Sequence, residues 1–171
     1  MGHTLVARFD EKSKEKLHTM MRPFGANKIP FGRGCDREAA NAEMDYHLTL
    51  MHWSKEWDAQ YLPLVENLKP SACRINVTGK QMMCAEEGSL LLYLTVEPSN
   101  GYPEMIEKLE KSMAMLSNGF LHITLAVSQH AQDIISIDQQ LQETVDFPFE
   151  LTIEGFDLYH IWKPTRKMRS W

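Results

Sequence analysis

Cysteine and long apolar runs are both scarce in this sequence. The chain of 171 residues has three cysteines, Cys35, Cys73 and Cys84, without a Cys-x-x-Cys spacing, so it predicts neither a disulfide framework nor a zinc site. The longest apolar run, residues 90–94, is far too short to cross a membrane. The first residues lack the basic stretch and apolar core of a signal peptide. We therefore expect a soluble, cytoplasmic protein with no membrane partner.

An excess of basic charge is absent as well. The formal net charge is −5, whereas a protein that grips nucleic acid generally presents a basic face. We therefore expect no DNA-duplex partner. A basic tail does occur at 163–171, "KPTRKMRSW", and it could contact an RNA backbone, although short basic runs are usually solvated surface.

The apolar pattern alternates between strand and helix spacing over a length that suits one domain, residues 1–171. Residues 26–44 are the least periodic part, so we expect them to form a lid over a site. The two halves resemble each other in their order of elements. This predicts an α+β fold with two lobes around a cleft. The predicted strands are 4–9, 46–53, 72–84, 89–98, 121–128 and 147–162, and the predicted helices are 10–25, 54–70, 102–116 and 132–145.

Two of the predicted strands contain nearly the same phrase, "DYHLTL" at 45–50 and "FLHITL" at 120–125. Side chains alternate between the two faces of a strand, so each motif places a histidine and a threonine on one face and two apolar residues on the other. The imidazole and the hydroxyl are then roughly 6.5–7 Å apart along the strand. Each strand thus presents two polar groups from an otherwise apolar wall.

Convergence of the two motifs would suit a phosphodiester. One neutral histidine can accept a proton from the nucleophile, while the other, protonated, donates one to the leaving oxygen. Imidazole fits both tasks because its ordinary pKa lies near neutrality. The threonine hydroxyls can donate hydrogen bonds to the non-bridging phosphate oxygens, where transition-state charge collects. This chemistry requires no metal.

A single motif of this kind is most often an ordinary half-buried strand with a satisfied histidine. Two such matches among seven histidines are expected by chance in about 1% of chains, given typical apolar composition. Both matches also fall in predicted strands at corresponding places in the two halves. We therefore favour the functional interpretation of the pair.

With these motifs, the chain resembles the 2H phosphoesterase superfamily, which includes LigT-type RNA 2′,3′-cyclic phosphodiesterases and 2′-5′ RNA ligases. Its signature is two H-x-[ST]-φ motifs, with φ apolar, and the order of elements from "LVARF" to "FELTIEGFDLY" is similar as well. The resemblance implies a bilobal, pseudo-two-fold symmetric fold with two antiparallel sheets, helices outside and a central cleft. In that cleft His47 and His122 would be the acid/base pair, and Thr49 and Thr124 would bind phosphate. The resemblance also implies an RNA terminus or a small nucleotide as substrate, cleavage of 2′,3′-cyclic phosphates or of 2′-5′ or 3′-5′ linkages, and neither metal nor cofactor.

Aromatic and basic residues near the motifs are candidates for substrate binding. Tyr46 and Phe120 precede or flank the motifs and could stack on a base, although packing is the more common role of aromatic residues. Arg33 and Arg37 in the expected lid could reach a phosphate through their guanidinium groups. A solvated position is the more common one for arginines in such a loop.

Other functions remain open at this stage. A nucleotide or RNA-end binding module could keep the same cleft without turnover, but it would not need two proton-transfer groups. A metal-dependent hydrolase would need further ligands at suitable spacing, and none accompanies the motifs. The remaining histidines, His18 among them, show no partner pattern. The sequence leaves open the bond broken, hydrolysis versus ligation, which histidine is the base, and the oligomeric state, for which we favour a monomer.

Overall fold

The computed structural model describes most of the chain. The described residues are 3–25, 31–33, 44–53, 66, 73–84, 88–113, 121–160 and 166–170. The predicted helix at 54–70 lies outside them except for Glu66, and so does the expected lid at 26–44 except for 31–33 and Met44.

The described residues form eight strands and three α-helices, which confirms the α+β class. Wherever both can be compared, the order of elements agrees with the predicted order except for two added strands, one at 31–33 within the expected lid and one at 166–170 in the basic tail. In chain order the elements are β1 (His3–Phe9), α1 (Glu11–Met21) with a 3-10 turn (Arg22–Phe24), β2 (Phe31–Arg33), β3 (His47–Trp53), β4 (Cys73–Cys84), β5 (Leu90–Pro98), α2 (Tyr102–Met113), β6 (His122–Ser128), α3 (Ala131–Thr144), β7 (Phe149–His160) and β8 (Arg166–Ser170).

The strands pair in the order β2-β6-β5-β4-β7-β1-β3, with β8 on β7. All the pairs are antiparallel except β2–β6. The two sheets expected from the sequence are therefore the two halves of one continuous sheet, joined where Cys73–Val77 of β4 pairs with Phe149–Ile153 of β7. Both segments bury alternate apolar side chains, and their pairing leaves neither strand as an open edge inside the protein.

The sheet curls so that strands far apart in its order meet. β3 is at one end of the order and β6 is next to the other end, yet Cα atoms of the two strands come within 8 Å. The trio β3-β1-β7 in one half corresponds to β6-β5-β4 in the other. Each half therefore carries one His-x-Thr strand, in keeping with the predicted pseudo-symmetry.

The main core lies between the sheet and the helices. α1 begins at the N-cap Asp10, whose side chain accepts a 2.8 Å hydrogen bond from the Ser13 backbone N–H. The helix buries Leu17 and Met21 four residues apart, which is the spacing of one helical face. α3 buries a similar stripe of apolar residues, Ile134, Ile137 and Leu141. Among the described helices, none combines the length and apolar character that a membrane-spanning segment requires.

The basic tail contains a strand that the sequence did not predict. β8 pairs with β7, and two of its cations are matched by acids: Lys167 bonds Asp157, and Arg169 bonds Glu66. Much of the positive charge of β8 is therefore neutralised within the protein, which weakens the idea that the tail contacts an RNA backbone.

Candidate active site

The first His-x-Thr motif lies on β3 with the alternation expected of a half-buried strand. His47 and Thr49 are partly exposed, while Leu48 and Leu50 are fully buried in the main core. The second motif on β6 repeats the pattern, with His122 and Thr124 partly exposed. The apolar residues of each motif therefore fix the strand face on which the imidazole and hydroxyl stand.

The curvature of the sheet brings these two strands together. β3 and β6 lie side by side, with Cα atoms less than 8 Å apart, although four strands separate them in the pairing order. The charge of His122 also acts on His47 and lowers the pKa of that imidazole, as expected for two histidines in one site. The structure thus brings together the two strands that carry the four residues singled out by the sequence as acid/base pair and phosphate ligands.

His47 has a defined tautomer. Its Nδ1 lies 2.8 Å from the backbone carbonyl oxygen of Asp45. A carbonyl oxygen only accepts hydrogen bonds, so Nδ1 carries the proton and donates it. In the neutral imidazole, Nε2 then keeps its lone pair, which is the arrangement a general base requires.

Several groups set the protonation state of His47. Burial lowers the pKa of His47 most strongly, and the charge of His122 adds to that effect. The hydrogen bond to the Asp45 carbonyl and the negative charges of Asp45 and Asp157 oppose it. The net effect is a pKa below the ordinary histidine value, which favours the neutral imidazole.

His122 packs against an aromatic side chain, Tyr93. The Tyr93 ring meets the His122 ring edge to face, with centroids 5.5 Å apart. Tyr93 is on β5 opposite Thr124, and its hydroxyl donates a 2.9 Å hydrogen bond to Gln81 Oε1 on β4. The ring is therefore held at both ends, between the second motif and the neighbouring strand.

A buried carboxylate, Asp157, organises the side of the site near His47. Arg8 Nη1 donates to Asp157 Oδ1 at 2.5 Å, and Lys167 Nζ donates to Oδ2 at 2.8 Å. The Ser170 hydroxyl and, at 3.5 Å, the Tyr159 hydroxyl also donate to this carboxylate. Burial alone would raise the pKa of Asp157, but the bonds to Lys167 and Ser170 and the nearby cations outweigh it and lower the pKa.

A cavity of about 60 Å³ lies between this cluster and the first motif, a volume that suits ordered water rather than a nucleotide. The cavity is lined by His47 on one side and by the Asp157 cluster on the other. Its lining residues are Val6, Arg8, Asp45, Tyr46, His47, Asp157, Tyr159 and Lys167.

A second carboxylate lies behind His47 at the start of β3. His18 Nε2 on α1 is 2.8 Å from Asp45 Oδ1, and the same oxygen accepts the Tyr46 backbone N–H at 2.6 Å. His18 therefore has a hydrogen-bond partner, which the sequence did not reveal. The two residues are 27 positions apart, and the signal that could have pointed to Asp45 is its place two residues before the motif histidine.

The residues predicted to bind substrate have different outcomes. Tyr46 is only 2% exposed and packs in the main core, with its ring 5.6 Å from that of His18. A ring enclosed by protein cannot stack on a base, so core packing, the alternative interpretation, describes Tyr46 better. The backbone of Arg33 lies in β2 opposite Ser128. The Arg33 side chain, Arg37 and Phe120 lie outside the described part of the chain.

The structure adds residues that the sequence did not single out. Arg8 is opposite His47 on β1, and Asp157 on β7 is opposite Val6. Arg8 and Asp157 are 149 positions apart, and no local pattern reports a pairing over such a separation. Within the described ranges, no group of three or more His, Cys, Asp or Glu residues is arranged to hold a metal ion.

Comparison with known proteins gives matches only at the level of structure. No protein-family model and no curated protein matches the sequence. TT0787 of Thermus thermophilus superposes with a TM-score of 0.53 and 18% identity, covering 100% of this chain and 97% of that one. LigT of E. coli in complex with NADP+ gives a TM-score of 0.51 and 15% identity, covering 99% and 95%. LigT in its apo form gives 0.50 at the same identity and coverage.

These likenesses extend over 99–100% of this chain. Because the identities are low, the superpositions show a similarity of fold alone. The fold expected from the two His-x-Thr motifs is thereby confirmed: the chain shares the fold of TT0787 and LigT.

Proposed function

We propose that this protein is a metal-independent phosphodiesterase that acts on 2′,3′-cyclic phosphate RNA ends, 2′-5′ linkages or small, including cyclic, nucleotides. The observation that carries the proposal is the approach of β3 and β6, the two strands that contain the His-x-Thr motifs, to within 8 Å between Cα atoms. Each motif has its imidazole and hydroxyl on the face that the core leaves free.

The two histidines take different roles in hydrolysis of a cyclic phosphate. His47 is the base, because its Nδ1–H is bound to the Asp45 carbonyl, its Nε2 keeps a lone pair, and its pKa is lowered. It accepts a proton from the attacking water while the water oxygen forms a bond to phosphorus. His122 acts as the acid and donates a proton to the ribose oxygen as its bond to phosphorus breaks.

The two threonines stabilise the charge that builds on phosphate. Thr49 and Thr124 stand two residues after their histidines on the same strand faces. Their hydroxyls donate hydrogen bonds to the non-bridging oxygens, and such donors are most effective when they are fixed before the reaction. The Leu48 and Ile123 side chains, fully buried, hold the two strands in place.

The structural relatives support the choice of a nucleotide as substrate. One LigT structure that shares this fold is a complex with NADP+, a small molecule in which phosphate groups link two nucleosides. We extend the preference for a nucleotide to this chain. The proposal includes a cytoplasmic location and a monomeric enzyme that needs no cofactor.

The test is turnover of the four nucleoside 2′,3′-cyclic phosphates in excess EDTA, followed by chromatography. His47→Ala and His122→Ala should each lower the rate by about 10²–10⁴-fold, the usual contribution of general acid/base catalysis. His130→Ala is the matched control, because His130 is exposed beside the N-terminus of α3 and its side chain makes no capping bond. All three variants should retain the wild-type circular dichroism spectrum.

The outcomes separate the candidate functions. A single monophosphate isomer identifies the leaving oxygen and supports the two-histidine mechanism. Turnover that is indifferent to both histidine variants would overturn it. Nucleotide binding without product, on cyclic phosphates and on 2′-5′ and 3′-5′ linked oligonucleotides, would favour the binding module instead.

A further inference from the structure

We propose that His18 is a positioning residue for His47, acting through Asp45 to fix the tautomer and the aim of the general base. The inference rests on the proposed function, since it assigns a part in the same proton transfer to a residue outside the motifs. His18 belongs to α1, and neither motif includes it.

Three hydrogen bonds connect α1 to the imidazole of His47. His18 Nε2 is 2.8 Å from Asp45 Oδ1, which also accepts the Tyr46 backbone N–H at 2.6 Å. The backbone carbonyl of Asp45 then accepts the His47 Nδ1–H at 2.8 Å. Residues 45–47 are thus held by the carboxylate on one side and by the carbonyl on the other.

The direction of the Asp45 carbonyl decides what His47 can do. While the carbonyl faces Nδ1, the neutral imidazole keeps its proton there and leaves Nε2 as the acceptor. If residue 45 turned, Nδ1 would lose its acceptor and the two tautomers would become closer in energy. Only a fraction of the molecules would then present Nε2 as a base.

The packing explains why the support comes from α1. Tyr46 is enclosed in the core next to His18, with their rings edge to face at 5.6 Å, so this part of β3 is anchored on the helix side. Asp45 is less enclosed, and about 41% of its side chain is exposed. Without His18, the Asp45 carboxylate loses its hydrogen bond to α1 and is free to turn toward solvent.

Other charged groups face His47, and none of them substitutes for this contact. His122 approaches from β6, Asp157 and Tyr159 from β7, Arg8 from β1 and Lys167 from β8. Asp157 holds Arg8 and Lys167, and its charge acts on His47 through space. The described hydrogen bond that fixes the Nδ1 proton is the one from His47 to Asp45.

The experiment compares His18→Ala with His18→Gln, because the Gln side-chain amide can still donate to Asp45. Arg22→Ala is the matched control, since Arg22 forms an exposed ion pair with Glu15 from the turn that follows the same helix. The first readout is long-range ¹H–¹⁵N NMR of the imidazole nitrogens of His47. We expect wild type, His18→Gln and Arg22→Ala to show the Nδ1–H tautomer, and His18→Ala to show a mixture.

The second readout is the pH profile of kcat and KM on the cyclic phosphate that wild type hydrolyses fastest. His18→Ala should lower kcat about tenfold with KM unchanged and move the acidic limb of kcat to lower pH, because the bond to the Asp45 carbonyl stabilises the imidazolium. His18→Gln should restore both. A purely structural role would instead scale kcat with the folded fraction and leave the limb in place.

The two readouts keep this inference separate from the proposed function. An Nδ1–H tautomer in His18→Ala that equals wild type would overturn the positioning role, whether or not the protein is active. If no substrate turns over but the tautomer changes in His18→Ala and recovers in His18→Gln, the structural coupling stands and the phosphodiesterase proposal fails.

Discussion

Tyr93 and His122 meet edge to face, with their ring centroids 5.5 Å apart. The pair lies on neighbouring strands of one half of the sheet, and Tyr93 is almost fully buried. The proposed acid therefore has one side closed by a ring whose own position is fixed from β4. This contact limits the orientations available to the second imidazole.

Removing the Tyr93 ring should disturb catalysis more than removing its hydroxyl. Tyr93→Phe keeps the ring and loses the bond to the exposed Gln81, so we expect less than a twofold change in kcat. Tyr93→Leu removes the contact with His122. Such aromatic contacts contribute about 0.5–1.5 kcal/mol, and we expect up to a tenfold fall in kcat. Steady-state kinetics on a cyclic phosphate measures both, and equal effects of the two variants would show that the ring does not position His122.

The hydroxyls of the two motifs should matter for rate and not for stability. Thr49→Val and Thr124→Val keep the shape of a β-branched side chain and remove a donor to phosphate. Loss of one such donor costs about 10²–10³-fold in kcat. Thr78→Val is the matched control, because Thr78 is an exposed strand threonine on β4. Unchanged kcat in both motif variants would exclude the hydroxyls as phosphate ligands.

The neighbouring apolar positions should show the opposite pattern. Leu48→Ala removes a fully buried side chain from the main core. Substitutions of this kind lower the free energy of unfolding by about 2–5 kcal/mol. Urea denaturation measures the loss, and the folded fraction should retain most of its activity below the transition. A cost under about 1 kcal/mol would contradict the packing described for β3.

Asp157 should make stability depend on pH. Its pKa is lowered in the folded protein, so its contribution is present above the unfolded value of about 3.9 and is lost as pH falls through the folded pKa. Hydrogen bonds to charged groups contribute about 1.5–3 kcal/mol, so Asp157→Asn should cost about that much at pH 7. The difference from wild type in urea unfolding should shrink toward pH 3.

Glu150→Gln is the control for this effect, because Glu150 forms an exposed pair with Arg74. Such pairs contribute at most about 1 kcal/mol. If Asp157→Asn were no more destabilising than Glu150→Gln, the Asp157 cluster would not be a stabilising element of the fold.

The acidic limb of the pH–rate profile should lie below the ordinary histidine pKa of about 6.5. His47 must be neutral to act as a base, and its lowered pKa keeps it neutral to lower pH. The charge of Asp157 raises the pKa of His47, so Asp157→Asn should shift the limb further down. Measurement of kcat/KM from pH 4 to 8 in both proteins tests the sign, and an upward shift would contradict the assignment of His47 as base.

The strands of the motifs and their faces could be predicted because alternation is a local property. Leu48, Leu50, Ile123 and Leu125 specify which way the strands face, and the polar residues follow from them. The α+β class followed from the element order in the same way. The prediction that the two motifs meet in space rested on their chemistry and on the family resemblance. Periodicity could not supply it, because it carries no information about contacts between distant parts of the chain.

The surroundings of the site could not be predicted, because they depend on contacts between distant elements. Arg8 and Asp157 come together through β1 and β7, and His18 reaches Asp45 from a helix. β8 was missed because its cations are typical of solvated surface, whereas Asp157 and Glu66 supply partners from elsewhere in the chain. Tyr46 was a candidate for stacking on a base, but the core encloses it.

The junction between β4 and β7 consists of five residue pairs, Cys73–Val77 with Phe149–Ile153, and it connects the half that carries His47 to the half that carries His122. The separation of His47 from His122, the proposed base and acid, therefore depends on the curvature of the sheet. A change of twist at this junction would shift the two halves, and with them the two histidines, relative to each other. Under the proposed function, substitutions at buried positions such as Val77 or Leu151 would alter the reaction from a distance, without changing a residue that touches the phosphate.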